Sequence, residues 1–333
     1  MSERVLVLGS NSFSGASFVD YALGQGLEVV GASRSPEPHR AFLPYQWNGS
    51  VGGQGRFRFE QLDLNKDTDR IARLVESWRF DYVFNFAAQS MVAESWLYPE
   101  HWYQTNVLAN VRLHDKLRQY NFIRKYVHVS TPEVYGSCSG LVNEDFRFNP
   151  STPYAASRAA CDLHLLTFFK QYKFPVVFTR AANVYGPGQQ LYRIIPRAVL
   201  FIKTGRRLQL HGGGHSVRSF IHIKDVADGT LRVAKQGPAG ESYHLSTTDN
   251  ISIRDLVERI CQRLGAKFEQ AVEVVGERPG KDAAYLLDSA KARKTLGWRD
   301  QISLDQGLDE TIQWVEKNFE ELKKQPADYV HKP

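Results

Sequence analysis

Residues 4–23 constrain this chain more than any other stretch. Arg4-Val-Leu-Val-Leu8 is continuously apolar after its first residue, the pattern of a strand buried on both faces inside a parallel sheet. It runs directly into Gly9-Ser-Asn-Ser-Phe-Ser-Gly15 and then into a helical pattern from Ala16 to Leu23. Strand, glycine turn and helix in that order present the free amides of a helix start to an anion such as a pyrophosphate. Gly9 allows the sharp turn, and Gly15 lets the helix pack closely on the strand. Gly9, Asn11, Ser12, Phe13 and Gly15 are therefore the first candidate dinucleotide contacts. A turn with only two glycines is equally well explained as structural, so the rest of the chain has to decide.

The strand-and-helix alternation continues. Segments 28–32, 57–62, 82–85, 126–129 and 175–180 read as strands, and the patterns at 68–78, 101–119 and 155–172 as helices. The class this predicts is α/β, a doubly wound parallel sheet. The second strand ends in Ser33 and Arg34. An NAD site normally carries an acid there for the ribose hydroxyls, whereas a guanidinium suits a 2′-phosphate. NADP is thus favoured over NAD. The Pro- and Gly-rich loop 35–55 is expected to cover the adenosine. Leu304 to Leu322 reads as one amphipathic helix, and the tail from Lys324 as frayed.

The chemistry concentrates between Val127 and Arg158. Thr131 and Glu133 follow the fifth strand. About twenty residues on, Thr152 suits an N-cap and Pro153 a first helical position, so Tyr154 falls in the first turn and Arg158 one turn later on the same face. A phenol is a poor base at neutral pH, with a reference pKa near 10. A fixed cation one turn away favours the phenolate. Thr131 is placed to hold a sugar hydroxyl, Tyr154 to deprotonate it and Glu133 to take a carbon-bound proton. Taken alone, the pair reads first as a surface Tyr and Arg on an amphipathic helix, with Glu133 a solvated loop charge.

The motifs together resemble the extended short-chain dehydrogenase/reductase family, and within it the nucleotide-sugar 4,6-dehydratases. The resemblance rests on the Gly9–Gly15 turn, Asn85-Phe-Ala-Ala-Gln-Ser90, Ser130-Thr-Pro-Glu-Val-Tyr-Gly136 and Pro153-Tyr-Ala-Ala-Ser-Arg158. It continues through Asn183-Val-Tyr-Gly-Pro187, Arg218-Ser-Phe220 and Arg278-Pro-Gly280. It implies a Rossmann-type sheet with a smaller mixed α/β substrate lobe. The expected division is a dinucleotide-binding domain over 1–182, rejoined by 219–248, and a nucleotide-sugar lobe over 183–218 and 249–333. It also implies cofactor contacts at Ser33, Arg34, Asp63, Leu64, Ala87, Ala88, Asn106, Tyr154 and Arg158. Substrate contacts follow at Ser90, Asn183, Arg193, Arg218 and Arg278. The expected assembly is a homodimer through a four-helix bundle built from 101–119 and 155–172.

Three positions depart from the family pattern. Ser12 stands for a third glycine, Pro132 for the Asp of deoxythymidine-linked dehydratases, and Arg158 for Lys. The resemblance favours transient oxidation at C4, deprotonation at C5, loss of water and hydride return to C6, giving a 4-keto-6-deoxy sugar nucleotide. An epimerase or decarboxylase of the same family, or a weakly catalytic cofactor-binding homologue, stays open.

Composition narrows the partners. With 42 Lys and Arg against 36 Asp and Glu, the net charge of +6 is spread without a basic block, which argues against nucleic acid. Three cysteines without metal spacing point to a reducing cytoplasm. No run suits a membrane span, no His/Cys cluster a metal, and no nucleophile elbow a serine hydrolase.

Overall fold

The structure is a computed structural model that describes residues 2–47, 55–138, 140–276 and 286–332. In chain order it begins β1 (Arg4–Leu8), α1 (Phe13–Gly24), β2 (Glu28–Ser33), β3 (Phe57–Gln61), α2 (Thr68–Trp78), β4 (Tyr82–Asn85), α3 (Pro99–Tyr103) and α4 (Asn110–Leu117). Then come β5 (Lys125–Val129), β6 (Leu141–Val142), α5 (Pro153–Tyr172), β7 (Val176–Ala181), β8 (Asn183–Tyr185), α6 (Ile194–Lys203), β9 (Leu208–His211), β10 (Val217–Arg218) and β11 (Phe220–His222). It closes with α7 (Ile223–Gln236), β12 (Ser242–Leu245), β13 (Ile251–Ser252), α8 (Ile253–Arg263), α9 (Phe268–Ala271), β14 (Val272–Val275), β15 (Leu286–Leu287), α10 (Ala290–Leu296), α11 (Leu304–Lys317) and α12 (Phe319–Leu322).

Seven strands form one parallel sheet in the order β12-β7-β5-β4-β1-β2-β3. Alternate residues of each strand feed opposite cores, because side chains change face at every step. Val5 and Val7 pack with Phe18 and Val19 of α1 and Val226 and Val233 of α7. Leu6 and Leu8 pack on the other face with Ile71 of α2, Leu113 of α4 and Leu165 of α5. A further core gathers β9, α6, α8 and α11. The loop after β2 reaches into it, where the Trp314 indole donates to the Ala41 carbonyl at 2.9 Å.

Three expectations need correction. The helix read as 101–119 is α3 and α4 joined through a wider π-type turn, Gln104–Ala109, where the Asn110 amide side chain bonds the carbonyls of Thr105 and Asn106. The helix read as 304–322 breaks at Asn318, whose side chain donates to the Trp314 carbonyl at 2.8 Å. The tail is packed rather than frayed. Asp328 pairs with Arg197 at 2.8 Å, and the His331 ring lies flat against Tyr98, His101 and Trp102.

Candidate active site

Every strand of the large sheet points the same way, so the residues that follow β1, β4, β5 and β7 meet along one edge. Both sheet faces are mostly apolar, and ligand-facing groups emerge where the strands end. A cavity of about 660 Å³ lies there. Ser12, Phe13 and Ala88 line one part of it, Thr131, Glu133, Tyr154 and Arg158 another, and Ser90, Asn183, Arg193 and Arg218 the rest.

The glycine turn explains the first wall. Gly9 has φ +79°, and a Cβ there would meet the Ala87 amide nitrogen at 2.6 Å. A Cβ on Gly15 would run into the Gly9 carbonyl oxygen. Ser12 caps α1: its Oγ accepts from the Gly15 amide at 3.0 Å and donates to the Gly9 carbonyl at 2.7 Å. The hydroxyl that replaces the third glycine is therefore spent on the turn, while residues 12–14 border the cavity at the start of the helix. Asn11 ties the turn to the loop after β2, its amide group donating to the carbonyls of Ser35 and Pro36. A bare glycine turn beside a helix start and two alanines fits a dinucleotide pyrophosphate.

The reactive wall follows the predicted start of α5. Thr152 accepts from the Ala155 amide at 3.1 Å, and Pro153 is the first helical residue. Tyr154 and Arg158 are both buried. Burial raises the Tyr154 pKa above its ordinary value, against the Arg158 charge and a hydrogen bond with Thr131, which lower it; the Glu133 charge raises it further. Desolvation wins in the protein alone, so the nearby guanidinium does not by itself give a phenolate. Thr131 caps the short turn Pro132–Tyr135, accepting from the Glu133 amide at 3.3 Å.

Arg158 also reaches inward. It donates to the Val129 carbonyl and approaches His128 Nε2 at 3.2 Å. His128 stands 3.4 Å from Asp162, which bonds Ser130 at 2.7 Å and pairs with Arg180 at 2.7 Å, both partners of the pair fully buried. Burial and the neighbouring Arg158 push the His128 pKa well down, which keeps the ring neutral. Sequence reading missed this set, although Asp162 lies four residues beyond Arg158 on the same helix.

Other predicted contacts lie outside the cavity lining. Ser33 Oγ accepts from the Asn11 amide at 2.9 Å, and Arg34 donates to the Lys332 carbonyl at 3.0 Å. Asp63 accepts from the Asn65 amide, and Leu64 is core. Asn106 is fully buried, its carboxamide paired with the Gln89 main chain and Ser157, so it positions the segment after β4. Arg278 lies outside the described residues. Gln189, Gln190 and Tyr192 line the cavity and were not foreseen; their signal was nearness to Asn183. Among the described residues, no group of three His, Cys, Asp or Glu is placed for a metal.

The family model described as GDP-mannose 4,6 dehydratase matches residues 6–311. A human dTDP-D-glucose 4,6-dehydratase is 32% identical over 280 residues, covering 82% of this chain and 79% of that one. A probable dTDP-glucose 4,6-dehydratase of Sinorhizobium fredii is 31% identical, covering 95% and 93%. The crystal structure of a Streptomyces venezuelae dTDP-glucose 4,6-dehydratase with NAD bound superposes with a TM-score of 0.87 at 33% identity, covering 95% of this chain and 97% of that one.

Removing Asp162 leaves the Arg180 guanidinium buried without its counter-charge. Asp162→Asn is expected to lower the unfolding free energy by about 3–5 kcal/mol in urea titrations. The double variant Asp162→Leu with Arg180→Met should recover part of that loss.

Proposed function

This chain belongs to the GDP-mannose 4,6-dehydratase family of extended short-chain dehydrogenases/reductases, and we propose that it acts as a nucleotide-sugar 4,6-dehydratase on a nucleoside-diphosphate sugar. One observation carries the reading: Thr131, Glu133 and Tyr154 share a cavity with the start of α1 on one side and Asn183, Arg193 and Arg218 on the other. When bound, the nicotinamide supplies the hydride acceptor at C4 and the donor at C6.

In this chain Tyr154 takes the C4 hydroxyl proton and Thr131 holds that hydroxyl in line. The positive charges of Arg158 and Arg193 favour the phenolate. Oxidation at C4 acidifies C5, and Glu133 removes the C5 proton. Pro132 has no proton to give, so Glu133 hands this one to the departing C6 hydroxyl, which leaves as water. C5 then takes a proton from solvent and Tyr154 returns its own to solvent, so that with the hydride restored at C6 the net change is loss of one water. Asn183, Arg193 and Arg218 hold the diphosphate, with Arg278 as a fourth group carried by the family resemblance. A guanidinium pairs bidentately with phosphate oxygens, which suits arginine to this task.

NADP is proposed as the preferred cofactor, with NAD as the alternative, on the absence of an acid at Ser33 and Arg34. The division into 1–182 with 219–248, and 183–218 with 249–333, is proposed to separate cofactor binding from sugar binding. A homodimer is proposed through α3, α4 and α5. Tyr103, Leu108, Leu163 and Tyr172 are exposed there, more apolar surface than a solvated helix pair requires. A cytoplasmic setting is proposed on a count of only three cysteines without metal spacing. Among the described residues, no helix is long and apolar enough to cross a membrane.

Incubation with a panel of nucleotide sugars, read by mass spectrometry, should give one product lighter by one water. Unchanged mass would point to an epimerase, and loss of carbon dioxide to a decarboxylase. Glu133→Gln should abolish solvent deuterium uptake at C5 while leaving ligand affinity within about twofold; undiminished labelling would remove Glu133 as the base. Arg34→Ala should weaken NADP at least about tenfold more than NAD, and equal losses would argue against a 2′-phosphate contact. Leu108→Glu with Leu163→Glu should yield monomers in sedimentation velocity, whereas an intact dimer would place the interface elsewhere.

A further inference from the structure

The segment Ala327–Lys332 is the feature that the reaction does not account for. It begins beside the sugar side of the cavity. Ala327 is buried in the core of α6 and α11, Asp328 pairs with Arg197 at 2.8 Å, and the Tyr329 ring meets Tyr192 edge-on at 5.4 Å. Arg197 and Tyr192 both line the cavity.

Its other end lies on the cofactor side. The His331 ring stacks within 5.1–5.2 Å of Tyr98, His101 and Trp102, and its Nε2 is 2.8 Å from His101 Nδ1, one nitrogen donating and the other accepting. Burial, His101 and the Arg34 charge all lower the His331 pKa, which favours the neutral ring this contact needs. The Lys332 carbonyl accepts from Arg34 at 3.0 Å and from Gln89 at 2.6 Å.

Sheet order turns these contacts into a position. Arg34 follows β2 and Gln89 follows β4, and β1 lies between those strands. A single carbonyl bonded to both side chains therefore passes over the end of β1, where the Gly9 turn stands. We infer that Ala327–Lys332 is a strap across the dinucleotide groove, which retains the cofactor by tying the ends of β2 and β4 together above it. The inference rests on the dinucleotide site proposed above. A reaction that regenerates its cofactor in every cycle gains from such a closure. Substrate exchanges past Asn183, Arg193 and Arg218 while the cofactor stays.

The test is dinucleotide release, followed by stopped-flow fluorescence of NADPH and of NADH displaced by excess oxidised cofactor. A chain ending at Val330 loses both the His331 stack and the Lys332 carbonyl. It should release whichever dinucleotide binds about tenfold faster or more, with the thermal midpoint of the unliganded protein essentially unchanged. His331→Ala, which keeps the Lys332 carbonyl, should show a smaller increase in the same direction. Unaltered release from both variants, with binding intact in the full chain, overturns the strap and leaves the site standing. A full chain that binds neither dinucleotide overturns the site, and the strap falls with it.

Discussion

Two apolar faces on one sheet impose the constraint from which the rest follows. Strands covered on both sides by helices carry mostly apolar side chains along their length. Parallel direction then collects the polar residues at one edge. The glycine turn after β1, the alanines after β4, Thr131 and Glu133 after β5 and Asn183 after β7 are neighbours for that reason. Hydride chemistry needs cofactor, base and sugar within a few ångströms of each other, and this edge supplies the geometry before any side chain is chosen.

The main exception to the apolar interior lies directly beneath the site. Arg158, His128, Asp162 and Arg180 bring two cations and one carboxylate out of water. Such a set costs desolvation, which its bonds to Ser130, Val129 and Tyr135 offset. It anchors α5 to β5 and β7, and with them Tyr154 to Thr131. The Arg158 guanidinium is shared between this network and the phenol, so an arginine does more here than carry charge. One guanidinium nitrogen, Nη2, meets both the Val129 carbonyl and the His128 imidazole, which fixes the charge against β5.

Contacts between distant parts of the chain complete the site. The loop after β2 is held by Trp314 of α11, and the strap joins Arg197 to Arg34. Arg197 in the cavity wall and Arg34 after β2, which lies outside it, are thereby linked by backbone. Closing so large a loop costs entropy that grows only slowly with its length. A few aromatic stacks and hydrogen bonds are enough to hold residue 332 against residue 34.

Much of this was legible in the sequence because its signals are local. Short segments rich in apolar, β-branched and aromatic residues marked most of the strands, Thr152 and Pro153 marked the start of α5, and the spacing of Tyr154 and Arg158 put both on one helical face. Tertiary structure decided what no local window contains. It turned Asn106 inward to hold Gln89, spent the Ser12 hydroxyl on its own turn and let burial outweigh a nearby cation at Tyr154. It also packed a tail that reads as frayed. Propensity and periodicity act over a few residues, whereas burial, charge pairing and ring stacking depend on partners that only the finished fold brings together.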